Sequence, residues 1–463
     1  MVGWCDSNWI DRLLEDAKNV LDKNWNGNFT IPSPKLYPHQ WSWDSCFIAI
    51  GNSYYNIERS IKELEFLFGS QWKNGMIPHI VFNEKEKTYF PSASFYDVTR
   101  SYNAPKNVGT SGMTQPAVHA IACYYIYENS SDKIKAKEFL NKAYPRLNAF
   151  HRYLLSDRDP ERSGLVTILH PWESGRDDSP IWDIALSQLD IKDLPKFKRL
   201  DIAAVGGTSA ADTRSSDWEY NRFIYLIELM KKYDYDEKKM YDNFPFKIKD
   251  VTFTSILYVA NKYLKKIANI IGEDSQEISE WISRTEQNFY KYFFFASDNK
   301  KLGSNEESLF YDYDLIAKKP IKKKTINSLI PIYAGMLPKE EAEVIMKWVS
   351  HAHHCGEDSF CHVPTIPSTD LEASYFKPMT YWRGPVWINT NWMIWLGLLK
   401  YGEKDEAELI RQGVFELTKN HGFREYYNPY NGQGLGGKDF AWSAALTIDM
   451  IKNKGIGIPP DSS

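Results

Sequence analysis

The sequence predicts an all-α fold, a toroid of helical hairpins whose long loops gather at one end around a pocket. Three observations carry this reading. Apolar residues recur with the helical period over most of the 463-residue chain. Strand-type alternation is sparse, with 77–82 and 165–169 the better candidates. Long non-helical stretches at 26–44, 70–110, 157–213, 354–385 and 422–439 interrupt the helices, and loops of that length inside a compact protein usually carry function.

Taken in chain order, helical patterning covers about 4–24, 46–68, 114–128, 132–156, 216–233 and 251–271. It resumes at 339–351, 386–401, 405–420 and 440–452. The clearest case is 251–271, where Ile256, Ala260, Tyr263, Leu264, Ile267, Ile270 and Ile271 share one face and Gly272 supplies the stop. The helix after it opens on Asp274 and Glu277 at capping-box spacing and runs through Trp281, Ile282 and Phe289. Gly69, Gly402 and Gly422 close other helices, and Pro338 and Asp405 open two more. No Pro/Gly/Ser-rich linker and no internal repeat divides the chain, so one domain over 1–463 is expected.

Composition narrows the function classes. Apolar residues make up 43%, enough for a large core, yet no apolar run has the length a membrane helix needs. Net charge is −4 with both signs interspersed, which leaves no basic stripe for nucleic acid and no polybasic segment for a membrane surface. The N-terminal stretch has neither a basic nor an apolar leader region, and the five cysteines are scattered. Reduced thiols in a cytoplasmic protein are therefore expected. His351, His353, His354, Cys355, Cys361 and His362 crowd one segment, but their spacing matches no zinc pattern, so neither metal nor cofactor is expected. Nothing in the pattern specifies an oligomeric state.

The aromatic share of 15%, with 16 Trp and 29 Tyr against 24 Phe, favours rings with polar handles, and many lie in polar loop motifs rather than on helical stripes. Such rings suit sugars, whose C–H faces stack on them while hydroxyls reach polar edges. Three clusters combine them with carboxylates: Tyr37-Pro-His-Gln-Trp-Ser-Trp-Asp44, His170-Pro-Trp-Glu-Ser-Gly-Arg-Asp-Asp-Ser-Pro180 and Phe423-Arg-Glu-Tyr-Tyr-Asn-Pro429. Two carboxylates in an aromatic pocket are the minimum equipment for breaking a glycosidic bond, one to protonate the leaving oxygen and one to activate water or attack.

With Thr114-Gln-Pro116, Tyr381-Trp-Arg-Gly-Pro-Val-Trp-Ile-Asn389 and Gly434-Leu-Gly-Gly437 followed by Trp442, these strings resemble, in order and over nearly the whole chain, glycoside hydrolase family 63. The likeness is to its short bacterial and archaeal glucosylglycerate and mannosylglycerate hydrolases, and more distantly to trehalases. The resemblance implies an (α/α)6 barrel and an inverting α-glycosidase with Asp177 as general acid and Glu425 as general base, Asp178 being the rival acid. It implies substrate contacts from Tyr37, Gln40, Trp41, Trp43, Asp44, Gln115, Trp172, Gly175, Tyr381, Trp382, Arg383, Trp387 and Trp442. Glu173 fits a holder of the acid loop. Asp44 could instead cap the helix behind it, and Trp41, Trp43 and Trp387 could be core. Arg214 and Tyr220 match residues that hold a glycerate carboxylate in the resembled enzymes; the plainer alternative is a surface Arg214 paired with Asp217 or Glu219. The implied partner is a small sugar substrate. An α-glucosidase for neutral saccharides such as kojibiose or trehalose is the alternative, and a non-catalytic glycan binder would have no need of both Asp177 and Glu425.

Overall fold

The computed structural model of the protein describes residues 8–202, 210–295, 309–350, 361 and 363–458. While some helices among these residues, such as Asp217–Lys232, lie in the connections, twelve others alternate between two layers in chain order. They are α1 (Trp9–Asn24), α2 (Ser42–Asn52), α3 (Ile57–Phe68), α4 (His119–Asn129), α5 (Lys133–Ser156), α6 (Val251–Ile271), α7 (Gln276–Phe293), α8 (Pro331–Ala334), α9 (Lys339–Ser350), α10 (Ile388–Tyr401), α11 (Lys404–His421) and α12 (Ala441–Lys452). The even-numbered helices touch in a closed circuit, α2 to α4, α6, α8, α10, α12 and back to α2. The odd-numbered ones lie outside: α1 on α12, α3 on α2, α5 on α4 and α6, α7 on α6, α9 on α10, and α11 on α10 and α12.

The sequence explains which helix goes where. An outer helix needs one apolar stripe, and α7 buries Ile278, Trp281, Ile282, Thr285, Phe289 and Phe293 along such a stripe. An inner helix is enclosed on all sides, as is α2, every residue of which is buried. Small residues set its distance from α12: a Cβ on Gly51 would lie 2.5 Å from Ala445 Cα. A side chain at Gly51 would push the two helices apart and open the circuit.

Several expectations change. The stretch 46–68 is two helices, because Asn56 caps a second one by accepting from the Arg59 N–H at 3.1 Å. Asp274 and Glu277 form no capping box, since α7 starts at Gln276 and Glu277 pairs with Arg152. The box occurs instead at Ser216 and Glu219, opening the helix Asp217–Lys232. The two expected strands shrink to Ile80–Val81 and Thr167–Ile168. The stretch 422–439 contains an antiparallel hairpin, Arg424–Tyr427 against Gly434–Lys438. Cys46 and Cys123 are free and buried, but Cys361 is disulfide-bonded, contrary to the all-thiol reading; its partner lies outside the described residues. The histidines of that cluster and Cys355 also lie outside the described residues. Among the described residues no helix is long and apolar enough to cross a membrane.

Candidate active site

The acid-bearing loop is fixed from its own sequence. Strand Thr167–Ile168 runs into a single turn at Pro171–Ser174, opened by Pro171 and by His170, whose ring Nδ1 accepts the Trp172 N–H at 3.0 Å. Glu173 points into the protein and accepts from Arg158 Nη1 and the Leu169 N–H, both at 2.7 Å, so it holds the loop as a strut. Gly175 turns the chain with φ +70°, and a Cβ there would come within 2.4 Å of the Trp43 ring. Only glycine permits this close approach. Arg176 is buried against Asp250, and the Trp182 indole N–H donates to the Arg176 carbonyl at 2.8 Å. Asp177 follows, with its backbone clamped on the N-terminal side.

Glu425 lines the same cavity from the hairpin Arg424–Tyr427/Gly434–Lys438. It is almost wholly buried and meets only donors: the Tyr37 hydroxyl at 2.6 Å, the Gly437 N–H at 2.8 Å and Arg214 Nη1 at 3.2 Å. Tyr37 gives its proton to Glu425, so its 3.0 Å contact with the Tyr381 hydroxyl is one in which Tyr381 donates. Gly436 makes room, since a Cβ on it would lie 2.3 Å from Glu425 Oε2. Reciprocal bonds between Val386 and Tyr427, at 2.8 and 3.0 Å, tie this hairpin to the loop that carries Tyr381 and Trp382.

Most of the expected residues line one cavity: Tyr37, Trp41, Trp43, Asp44, Gln115, Trp172, Gly175, Asp177, Arg214, Tyr220, Tyr381, Trp382, Glu425 and Trp442. Trp43 and Trp442 meet edge to face at 5.4 Å, Trp41 packs against Tyr37 at 5.0 Å, and Gln115 accepts the Trp43 N–H at 3.3 Å. Asp44 is not a cap, because the position before the helix is Trp41 and Asp44 is the third residue of α2. Arg214 is not a surface residue either. It is buried, its guanidinium lies 4.0 Å from the Tyr381 ring centre, and Asp217 and Glu219 are taken by Arg199 and Arg383.

Three expected contacts lie elsewhere. Gln40 is fully buried with its amide donating to the Glu63 carbonyl at 2.9 Å and carboxylate at 3.2 Å, so it braces the segment and does not face the cavity. Trp387 is core, stacked at 3.9 Å behind Trp382 and donating its indole N–H to the Tyr381 carbonyl at 3.0 Å. Arg383 is consumed by Asp183 and Glu219 and borders a separate groove. Leu36, His79, Ile80, Tyr89, Phe90, Pro91, Asp201, Ser215 and Phe440 also line the cavity and were not anticipated. The lengths of the loops at 70–110 and 157–213 were the available signal for most of them.

The two aspartates differ in setting. Burial pushes the Asp177 carboxyl up to about 7, with Glu425 and Asp201 adding to the shift and Arg214 opposing it. Asp178 is raised too, by burial and by Glu219. It does not line the cavity, however, and accepts the Trp382 N–H at 2.9 Å. Asp177 is thus the one of the pair that lines the cavity, with its carboxyl raised to about 7. Asp44 is raised by burial first, then by Glu425 and Asp177. Among the described residues no cluster of His, Cys, Asp and Glu has a metal-binding arrangement.

A cavity with aromatic walls, a proton-holding aspartate and a donor-framed glutamate defines a glycosidase-type site. Residues 37–443 match the family model described as "Mannosylglycerate hydrolase MGH1-like glycoside hydrolase domain", and the chain belongs to that family of glycoside hydrolases. It is 39% identical over 433 residues to the mannosylglycerate hydrolase of Thermus thermophilus, covering 93% of this chain and 99% of the other. It is 34% identical over 449 residues to the glucosylglycerate hydrolase of Mycolicibacterium hassiacum, covering 95% and 98%. The crystal structure of a Thermus thermophilus family 63 mannosylglycerate hydrolase in complex with Tris and D-glycerate superposes with a TM-score of 0.85 at 39% identity, covering 94% of this chain and 99% of that one. The family 63 resemblance read from the motifs therefore holds.

Proposed function

We propose that this chain is an inverting α-glycosidase that hydrolyses mannosylglycerate, glucosylglycerate or both, built on an (α/α)6 barrel. The closed circuit of six inner helices, each preceded in the chain by an outer one, supports the barrel. The single observation that carries the chemistry is the cavity shared by Asp177 and Glu425, in which Asp177 is lifted to about 7 by its surroundings. Asp177 donates its proton to the glycosidic oxygen as the bond to C1 breaks. Glu425 takes a proton from a water that attacks C1 from the opposite face, and Tyr37 and Gly437 hold the carboxylate in place. Trp41, Trp43, Trp442, Asp44 and Gln115 receive the sugar, whose stacking faces and hydroxyls match these side chains.

Arg214 supports the acidic leaving group. Its fork suits a carboxylate, and a neutral sugar has no need of it. Arg214→Met should lower kcat/KM on glycerate-linked substrates by roughly ten- to hundredfold more than on the glycerol-linked counterparts, the loss expected for a hydrogen bond to a charged group. Steady-state kinetics on both substrate types checks this. Equal losses would leave Arg214 a holder of Glu425 and Tyr37 and favour a neutral saccharide.

A further inference from the structure

Arg199 and Asp201 lie outside every motif, yet they build the wall on which Arg214 and Tyr220 stand. Arg199 holds Asp201 through two parallel bonds, Nε to Oδ1 at 3.1 Å and Nη2 to Oδ2 at 2.6 Å. Its Nη1 donates to the Ser215 carbonyl at 2.6 Å, one residue after Arg214, and reaches Asp217 at 3.1 Å. Its guanidinium lies over the Tyr220 ring at 4.4 Å from the centre. Arg199 thus touches the carboxylate, the backbone and the ring that flank Arg214. Phe197, two residues earlier, packs against Tyr220 at 5.7 Å and stacks on Phe90 at 5.4 Å, which anchors the segment to the cavity rim.

Asp201 is the unexpected member. A carboxylate lining a cavity that receives an acidic leaving group repels it. Asp201 Oδ2 also stands 3.8 Å from Arg214 Nε, close enough to compete for the guanidinium. Burial alone would favour its neutral form, but the Arg199 hydrogen bonds and the Arg214 and Arg199 charges outweigh it and keep Asp201 ionised. The bidentate pair with Arg199 satisfies Asp201, which then takes from Arg214 only a longer lateral contact at Nε, beside the Arg214 bonds to Glu425 at 3.2 Å and to the Tyr37 hydroxyl at 2.9 Å. We infer that Arg199 is a positioning residue for leaving-group recognition: by neutralising Asp201 it keeps Arg214 available to a substrate carboxylate. This rests on the glycerate-linked substrate proposed above and adds the group that controls its recognition.

The test uses three variants of the full chain, Arg199→Met, Asp201→Asn and the two combined, with glycerate and glycerol as probes. Calorimetric dissociation constants for both probes are measured first, then kcat and KM on the glycerate- and glycerol-linked substrates. Arg199→Met should weaken glycerate relative to glycerol by roughly ten- to hundredfold, the scale of a lost hydrogen bond to a charged group. The loss should appear in KM more than in kcat. Adding Asp201→Asn should return most of the preference, because the competing carboxylate is gone. Asp201→Asn alone should keep or strengthen it, which provides a readout even where Arg199→Met fails to fold. An unchanged preference in Arg199→Met overturns the inference. So does a double variant as poor as Arg199→Met, which would make Arg199 only a brace for Tyr220. Weaker glycerate binding in Asp201→Asn also overturns it, as does wild-type protein that binds no glycerate. Wild-type protein that binds glycerate but cleaves neither substrate type would instead refute the functional proposal and leave the role of Arg199 standing.

Discussion

Asp177→Asn should reduce turnover by ~10²–10⁴ or more, the range that removing a positioned proton donor costs, while the protein folds as before. Asparagine preserves shape and cannot supply the proton. In the wild type, kcat/KM should fall as pH rises through about 7, because the form that donates is lost there. The same lifted carboxyl affects stability. A half-buried aspartate whose folded value lies above its ordinary one near 3.9 contributes stability below that value, and the contribution is lost as pH rises through about 7. Asparagine ionises at no pH. At pH 8 the melting temperature of Asp177→Asn should therefore exceed that of wild type, the exchange of stability for activity expected at an active site. Near-wild-type activity, or a variant less stable at pH 8, would remove Asp177 from the role of acid.

Glu425→Gln should be as inactive for a different reason and with the opposite effect on stability. Tyr37, Gly437 and Arg214 all donate to this carboxylate. An amide turns one acceptor end into a donor that faces another donor, which costs about 1–3 kcal/mol when buried. Turnover should drop by ~10²–10⁴ with the loss of the base. Azide, a nucleophile that needs no base, should restore bond cleavage by attacking C1 from the water's side and should give the β-glycosyl azide. Rescue that yields the α-azide would mean two displacements with a covalent intermediate on another residue, and would remove Glu425 from the role of base in an inverting reaction. Activity without azide would exclude it from catalysis.

How far the sequence discloses this site depends on the range of the forces involved. One-sided apolar periodicity foretells an outer helix such as α7, and Gly272 foretells where α6 stops, because both are local effects. The hairpin that carries Glu425 is not legible, since its second strand, Gly434-Leu-Gly-Gly-Lys438, is mostly glycine and shows no alternation. Its glycines answer to contacts made only in the fold: Gly434 lies against the Arg424 side chain, Gly436 against Glu425 Oε2 and Gly437 against Ser33. Gln40 and Trp387 are misread for one shared reason. A side-chain N–H that donates to a buried partner, Glu63 for one and the Tyr381 carbonyl for the other, looks in sequence like a donor awaiting a ligand. His79 and Asp201 reach the cavity from loops without a motif, and nothing local announces them. Asp177 and Asp178 are adjacent in sequence, and only the folded chain separates them, one facing the cavity and the other accepting the Trp382 N–H.

The geometry of an inverting pair requires a water between base and sugar, with the two carboxyls roughly 6.5–9.5 Å apart when substrate is bound. The stereochemistry of the first product tests this most directly. Wild-type protein is mixed with mannosylglycerate or glucosylglycerate in an NMR tube, and the anomeric proton of the released sugar is followed during the first minutes, before mutarotation. The β-anomer should appear first, together with glycerate. An α-anomer appearing first, or no release of sugar from either substrate, would contradict the account.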